Sequence, residues 1–224
     1  MDQNAAAVQA CYPGAMTTSQ RMDAMEMTQH RRRPFPDTEQ AAAYLDMMAQ
    51  VRAFQNALVP ANPDAAQAHQ IQTKLAELTD LLETLAVPEH ERLYALGNLG
   101  SGQSQALLPP LTVDHFDDHE LHAHFVPGQF AMGMNQAMHG GVIPLIFDSA
   151  MGRMAAGPQG IACRTAYLNT QYRHVAPVDQ RLELRARVEL VEGRKRFIAA
   201  QLLHGETLCA EADALFVAVR PGHH

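Results

Sequence analysis

One short stretch combines a glycine turn, an apolar run and a single carboxylate. It reads MHGGVIPLIFDSAMG, residues 138–152, and places Asp148 nine positions after His139. The first N–H groups of a helix have no intrahelical acceptor and lie at the positive end of its dipole, so they bind oxygen that carries or develops negative charge. Gly140 and Gly141 leave that end open to a carbonyl group, as an oxyanion hole requires. Asp148 could then act as a general base or as a nucleophile.

Asp148 also has a plainer interpretation, a surface carboxylate paired with Arg153 one turn further on. Its apolar neighbours favour burial instead, which would raise its pKa towards the range of a general base. Asp148 lies about 10 Å along the helix from the glycines, because each residue rises about 1.5 Å. One helix does not easily bring both to the same carbonyl. We therefore expect a homodimer in which Asp148 of one protomer faces Gly140 of the other.

The composition excludes several functional classes. A net charge of -7 over 224 residues argues against affinity for nucleic acid through phosphate neutralisation. Cys11, Cys163 and Cys209 are too few and too scattered for a disulfide framework or a zinc knuckle, which fits a cytoplasmic protein. No apolar run reaches the roughly 20 residues of a membrane span, and the N-terminus lacks a signal pattern.

The histidines of HELHAH do not predict a metal site. His119, His122 and His124 accompany a strand pattern, in which the alternating positions are apolar. Only two of the three histidines then share a face, which is too few ligands. We expect neither a metal nor a redox cofactor.

The N-terminal part predicts helices rather than strands. Residues 1–36 have no sustained period and are expected to be irregular, whereas 37–95 predict a helical hairpin. Asp37 is the expected cap of the first helix and Pro60 its end. The second helix has apolar residues at alternating spacings of four and three, typical of a seam that packs against a partner helix. This leucine seam consists of Ile71, Leu75, Leu78, Leu82 and Leu85.

The remaining segment, 96–220, predicts an α+β domain. Strands are expected at HELHAHFV, ACRTAYLNTQYRHV, RLELRARVELV, KRFIAAQLL and TLCAEADALFVAVR, the last three joined by tight turns and hence antiparallel. In RLELRARVELV the apolar residues from Leu182 to Leu190 alternate strictly with charged ones, which predicts one buried face that includes Leu190 and one exposed face. The helix from about Gly141 to Ala155 is apolar nearly all round, so it must be enclosed. A curved antiparallel sheet wrapped around a central helix is the hotdog fold, here with an N-terminal helical extension.

Four segments of this domain resemble a known family. HGGVIPLIFD, RTAYLNTQYRHVAPV, VEGRKRF and TLCAEADALFVAV occur in this order within residues 114–220. They are similar to the hotdog-fold acyl-CoA thioesterases, in the branch with the phenylacetate-pathway enzymes and the thioesterase superfamily members. The resemblance implies hydrolysis of a fatty or aromatic acyl-CoA to the free acid and CoA, with a place in fatty acid metabolism. CoA is then part of the substrate, and no cofactor is needed.

The resemblance also implies roles for individual residues. Asp148 is the catalytic carboxylate, the Gly140 amide polarises the thioester carbonyl with help from Gly141, and His139 orders the turn. Thr165 takes the place of a residue that helps hold the attacking water. Four residues fall where relatives contact CoA: Gln171, Arg173, Arg194 and Lys195. Basic side chains there suit the CoA phosphates.

Two departures from the family pattern concern the oxyanion hole and the threonine. Many relatives have an Asn six residues before the His as a second oxyanion donor, but this chain has Gly133 there, and Asn135 and Gln136 are the nearest candidates. The span from Asp148 to Thr165 is also one residue longer than in close relatives. The identity of the second oxyanion donor is therefore open.

Two other functions stay open. A dehydratase or hydratase of the same fold needs a His paired with an acid at the substrate carbon, whereas the motif histidine here precedes the glycines. A non-catalytic acyl-CoA sensor or scaffold would use the same groove, with the helical hairpin as its output surface. The sequence does not decide the acyl chain, the choice between a dimer and a dimer of dimers, or whether Asp148 is base or nucleophile.

Overall fold

A computed structural model describes residues 38–88, 91–93 and 103–220. The predicted irregular segment 1–36 lies outside this part of the chain. The elements in chain order are α1 (Glu39–Leu58), α2 (Ala65–Thr84), β1 (Thr112–Phe116), β2 (Glu120–Phe125), α3 (Val142–Ala156), β3 (Cys163–Tyr172), β4 (Leu182–Glu192), β5 (Lys195–His204) and β6 (Thr207–Ala218). A 3-10 turn, Gln129–Ala131, precedes α3.

The six strands form one antiparallel sheet in the order β1-β2-β4-β5-β6-β3. The two tight turns that join β4, β5 and β6 contain Gly193 and Gly205, both with positive φ, which a glycine adopts without a steric penalty. Strand β1 was not predicted. Its residues are exposed or half-buried with no alternation, so it lacks the apolar period that marks the other strands.

Helix α3 lies against the sheet and packs mainly on strands β2 to β6. One face of the helix is fully enclosed and consists of Ile143, Ile146, Phe147, Ala150, Met151, Met154 and Ala155. Burial of such side chains supplies the main driving force for the fold, about 25 cal/mol per Å² of apolar surface. The predicted α+β hotdog fold is confirmed. The opposite flank of α3, with Leu145 and Asp148, is only half-buried.

Strand β4 follows the predicted alternation over only half of its length. Leu182, Leu184 and Ala186 are buried as expected. The register shifts between Val188 and Leu190, and this bulge leaves Leu190 48% exposed. A bulge inserts one extra residue and moves the following side chains to the other face, so the prediction that Leu190 is buried was wrong.

The N-cap of helix α1 is one residue later in the chain than predicted. Thr38, rather than Asp37, is the N-cap, and its hydroxyl accepts the Ala41 N–H at 3.2 Å. The C-terminal half of α1 docks on the 3-10 turn, where Asn56 Oδ1 accepts the Phe130 N–H at 3.0 Å. A Cβ at Gly128 would overlap the Asn56 side chain, so glycine permits this close approach.

Helix α2 begins with a capping box in which Asp64 and Gln67 exchange side-chain and backbone hydrogen bonds. None of its residues is buried. The leucine seam was expected to pack against a partner helix, yet all five of its residues are exposed in the part of the chain that the structure describes. The division into a 37–95 extension and a 96–220 domain stays a prediction. No helix within 38–88, 91–93 and 103–220 is long and apolar enough to cross a bilayer.

Candidate active site

Asp148 is held by a hydroxyl group from the neighbouring strand. Thr165 Oγ1 on β3 donates to Asp148 Oδ1 on α3 at 2.8 Å. Arg153, the cation of the plainer interpretation, instead places its guanidinium 4.6 Å from the centre of the Phe116 ring. Hydrogen bonding by Thr165 leaves the second carboxylate oxygen of Asp148 for a water molecule or a substrate.

The strand that carries Thr165 also brings a tyrosine to the glycine turn. Tyr172, at the other end of β3, donates its hydroxyl to the Gly140 carbonyl at 2.6 Å. Thr165 and Tyr172 are seven positions apart and would point to opposite faces of a regular strand. A bulge between Thr165 and Tyr167 shifts the register by one residue. Both side chains therefore lie on the face that α3 covers.

The Gly140–Gly141 peptide is fixed at both ends. Its carbonyl accepts from Tyr172, and its N–H, which belongs to Gly141, donates to His139 Nδ1 at 3.0 Å. An accepting Nδ1 means that neutral His139 carries its proton on Nε2. The Gly141 amide is thus already engaged and is a poor oxyanion donor. The Gly140 N–H has no acceptor within the described residues and lies beside the N-terminus of α3.

The backbone of His139 ties this turn to the preceding one. Its N–H donates to the Ala131 carbonyl at 2.8 Å, and its carbonyl accepts the Val142 N–H at 2.9 Å. The side chain of His139 is exposed and bonds to its own turn. This geometry matches the role expected for His139, to order the glycine turn.

Gly133 occupies the position where relatives carry a second donor. A Cβ there would come within 3.1 Å of the His139 Cα, so an asparagine would require the turn to move. Asn135 is exposed with φ of 54°, a conformation that asparagine tolerates. Gln136 accepts from Gln129 Nε2 at 3.3 Å through its side-chain oxygen. Neither candidate points to a second oxyanion donor in this protomer.

Most of the expected CoA-binding cations have partners within the protomer. Arg173 Nε donates to Glu211 Oε1 at 2.8 Å, and a further Arg173 nitrogen donates to the side chain of Gln171. Arg194 Nη1 donates to the Ala218 carbonyl at 2.8 Å, which fixes the β4–β5 turn against the end of β6. Lys195 is exposed beside that turn and has no ion-pair partner within the described residues. These residues lie at two separate ends of β3 and β5 rather than in one cluster.

Cysteine chemistry does not compete with Asp148 in the described part of the chain. Desolvation by burial raises the pKa of the Cys163 thiol and of the Cys209 thiol, which lowers the thiolate fraction at neutral pH. Cys11 lies outside the described residues. Of the HELHAH histidines, His122 contacts Glu120 and His124 contacts Asp114, and no group of metal-ligating side chains occurs within the described ranges.

Part of the chain is similar to known proteins. Residues 135–212 match the family model described as Thioesterase superfamily. The resemblance to the thioesterase superfamily is confirmed. Over 99 residues the chain is 34% identical to acyl-coenzyme A thioesterase THEM4 of Rattus norvegicus and 28% identical to that of Bos taurus. These alignments cover 43% of this chain and, respectively, 42% and 40% of the two relatives.

A solved structure described as a thioesterase superfamily protein shares the fold. It superposes with a TM-score of 0.68 at 23% identity and covers 83% of this chain and 94% of that chain. The chain spans only about 40% of the length of the curated Bos taurus relative it matches. The thioesterase-superfamily match includes Asp148, Thr165, Tyr172 and the glycine turn, whereas α1 and α2 precede it.

Tyr172 is the residue of this candidate site that sequence reasoning missed. It lies within the quoted YLNTQYR segment, so the motif contained it without indicating its role. The signal that would have identified it is the β3 bulge, which places Tyr172 and Thr165 on one face. A bulge leaves no fixed residue pattern in a single sequence.

Proposed function

We propose that this chain is an acyl-CoA thioesterase that hydrolyses an acyl-CoA thioester to the free acid and CoA. The observation that carries the proposal is the Thr165–Asp148 pair on a helix whose N-terminus is capped by the glycine turn. An anionic carboxylate and an unengaged backbone N–H are the two groups that hydrolysis of a thioester needs. The match to relatives named acyl-coenzyme A thioesterase supports acyl-CoA as the substrate class.

The proposed active site is completed by a second protomer. The N-cap Gly141 and Asp148 are about 10 Å apart along α3, from seven residues at about 1.5 Å each, and Gly140 lies one residue beyond Gly141. Strand β3 is an edge strand of ten residues, none of which is buried. A long exposed edge is a site for pairing with another chain, and such pairing would cover the half-buried flank of α3 that carries Asp148. A two-fold dimer would then form two equivalent sites.

The proposed reaction proceeds through attack on the thioester carbonyl. The Gly140 N–H of one protomer donates to the carbonyl oxygen as negative charge develops there. Asp148 of the other protomer takes a proton from water, and the water oxygen bonds to the carbonyl carbon. The tetrahedral intermediate collapses with cleavage of the C–S bond, and the departing CoA sulfur takes the proton from Asp148.

Asp148 acting as a nucleophile would give the same products through a mixed anhydride. In that route the carboxylate bonds to the carbonyl carbon, CoA leaves, and water then hydrolyses the anhydride. A single turnover in ¹⁸O-labelled water tests the anhydride route. Label in the Asp148 carboxylate indicates an anhydride that water attacks at the Asp148 carbon, whereas label in the released acid alone excludes that step.

The exposed cations are proposed to contact the CoA moiety. Lys195 is available beside the β4–β5 turn, and Arg173 can exchange its Glu211 partner for a phosphate. Gln171 and Arg194 complete the proposed CoA-contacting set, and Asn135 lies on the turn before the glycines. We propose no metal and no cofactor apart from the CoA of the substrate.

A panel of short, medium, long and aromatic acyl-CoAs with a thiol reagent tests the proposal. We expect CoA release from at least one class, and Asp148→Asn should remove most of it while the dimer persists. Asp213→Asn is the matched control, because Asp213 is exposed on β6 and bonds to Asn169 away from the glycine turn. No CoA release above background across the panel would overturn the thioesterase assignment.

A second candidate function is an acyl-CoA sensor that binds without turnover. The observation that favours it is the exposed leucine seam of α2, a surface on which an output partner could dock. Calorimetry with acyl-CoA separates this function from catalysis. Binding without release of CoA, together with an intact Asp148, would favour the sensor.

A further inference from the structure

The leucine seam of α2 is an exposed apolar surface outside the hotdog core. Its exposed fraction rises along the helix, from 37% at Ile71 to 64% at Leu85. Such a row of large side chains is unfavourable in water and marks an interaction site. Their spacing of four and three residues is the pattern that packs helix against helix with knobs in holes.

The residues that flank the seam are suited to close contact with another helix. In the heptad that the seam defines, Ala68 continues the core spacing by one step towards the N-terminus. The flanking positions carry a single charge, that of Lys74, and are otherwise Gln67, Gln72, Thr79 and Leu81. The acidic residues Glu77, Asp80 and Glu83 lie away from the seam. A partner helix therefore meets an apolar strip with little charge to desolvate.

The two ends of the seam have complementary shapes. Its N-terminal end borders an open groove between the end of α1 and α2, lined by Leu58, Pro63, Ala68, Ile71 and Leu75 among others. Its C-terminal end carries the most exposed leucines, with exposures of 56% at Leu78 and 54% at Leu82. Groove and protruding leucines on one helix are self-complementary when two copies run in opposite directions.

We propose that α2 is a self-association surface on which two copies of this chain pair in antiparallel orientation. The pairing is centred between Leu75 and Leu78, which face each other. The next layer joins Ile71 of one copy to Leu82 of the other, and the outer layer joins Ala68 to Leu85. Each outer layer combines a smaller side chain in the groove with a larger one from the second copy.

The distribution of charge selects this orientation. The acidic side chains of α2, Glu77, Asp80 and Glu83, are all in its C-terminal half, and the N-terminal half has no Asp or Glu. A parallel pair would place the two acidic halves side by side. The antiparallel pair places the acidic half of each copy beside the N-terminal half of the other and aligns the helix dipoles favourably.

This surface is separate from the proposed active-site dimer. Helix α2 has no residue in the turn, helix or strand that carries Asp148, Gly140 and Tyr172. The antiparallel pairing does not depend on the thioesterase proposal, and a chain that used both surfaces would assemble as a dimer of dimers. Loss of α2 pairing would halve the assembly mass and leave acyl-CoA hydrolysis unchanged.

Site-specific cross-linking of the full chain tests the orientation. Ile71→Cys and Leu82→Cys are introduced together and singly, in a Cys11→Ser background, and treated with a short bifunctional maleimide. Packed helices lie about 8–10 Å apart, so the double variant should give covalent dimers. In each single variant the two cysteines are about 16 Å apart along the axis, from eleven residues at about 1.5 Å each, and should not react.

Two different results of this experiment would contradict antiparallel pairing. Cross-linking of the single variants would show a parallel pair, and a double variant that forms no covalent dimer would show that α2 does not pair with a second copy. Either result overturns the proposal.

Charge substitution tests the contribution of the seam to assembly. Leu78→Glu with Leu82→Glu should halve the mass measured by light scattering, since four glutamates would be buried against the apolar side chains of Leu75 and Ile71 without a charged partner. Gln70→Glu with Thr73→Glu adds the same charge away from the seam and should keep the wild-type mass. Circular dichroism confirms that both variants retain their helices. An unchanged mass of the seam variant would overturn the proposal.

Discussion

Tyr172 and Gly140 are joined by a hydrogen bond of 2.6 Å from the end of β3 to the carbonyl of the glycine turn. The N–H of the same peptide unit donates to His139 Nδ1. One peptide plane is therefore fixed by two side chains, one on each end. The preceding N–H, that of Gly140, is left in a defined direction for a ligand oxygen. In this site Tyr172 and His139 are positioning residues for the donor.

Tyr172→Phe should lower kcat with little change in KM. Loss of an oxyanion donor costs roughly 10²–10³ in kcat, and loss of a group that only positions the donor should cost less, on the order of 10-fold. The acyl-CoA assay at saturating and limiting substrate measures both constants. Tyr167→Phe, on the same strand and 40% exposed, is the matched control and should retain wild-type kcat. An unchanged kcat in Tyr172→Phe would contradict the positioning role.

Helix α3 and the four long strands could be predicted from the sequence because their apolar periods are long and unambiguous. The face on which each side chain of β3 lies could not be predicted. Thr165 and Tyr172 are an odd number of residues apart, and only the bulge between Thr165 and Tyr167 puts them on one face. The same limitation made Leu190 an incorrect core residue on β4. Bulges depend on how neighbouring strands pair, which no local pattern records.

The acidic residue and the glycine turn were predictable because their chemistry is local. The hydrogen bond from the Gly141 N–H to His139 Nδ1 was not predictable, because it depends on the rotamer of His139 rather than on residue spacing. The exposure of the leucine seam was also missed, since a heptad pattern predicts that a partner exists but not which chain supplies it.

Thr165→Val should reduce activity more than Thr165→Ser. Valine removes the hydroxyl that donates to Asp148 Oδ1, so the carboxylate loses the bond that orients it. A hydrogen bond to a charged group contributes about 1.5–3 kcal/mol, which corresponds to roughly a 10- to 100-fold loss of kcat. Serine retains the donor and should restore most activity. Equal activity of the valine and serine variants would show that Thr165 serves packing alone.

Gly128→Ala should loosen the attachment of α1 to the hotdog domain. The new methyl group overlaps Asn56, whose Oδ1 accepts the Phe130 N–H, so the bond must break or the helix must shift. The expected loss of stability is on the order of 1 kcal/mol, the typical net value of one hydrogen bond. In an Asn56→Ala background the overlap disappears, and the same substitution should cost less. A double-mutant cycle from urea unfolding measures this coupling, and additive effects of the two substitutions would contradict it.

Asp117→Asn should make the free energy of unfolding less dependent on pH below about pH 4. The backbone N–H groups of Glu120 and His119 donate to Asp117 Oδ1 and lower the pKa of this carboxyl from 3.8 to about 2. A folded-state pKa below the unfolded value stabilises the protein above about pH 4, and that contribution is lost as the pH falls towards 2. Asparagine keeps a neutral acceptor but no charge, so the variant should be less stable at pH 7 and should lose less between pH 4 and 2.

Urea midpoints measured from pH 7 to pH 2 for the wild type and Asp117→Asn check this expectation. The readout is the difference between the two curves, which removes the acid effects common to both proteins. Asp80→Asn, an exposed aspartate on α2, controls for the loss of one negative charge and should give a curve parallel to that of the wild type. The difference for Asp117→Asn should shrink as the pH falls below 4, because protonation of Asp117 removes the same charge that the substitution removes. A difference that is constant with pH would mean that the β1–β2 turn does not use the ionised form of Asp117.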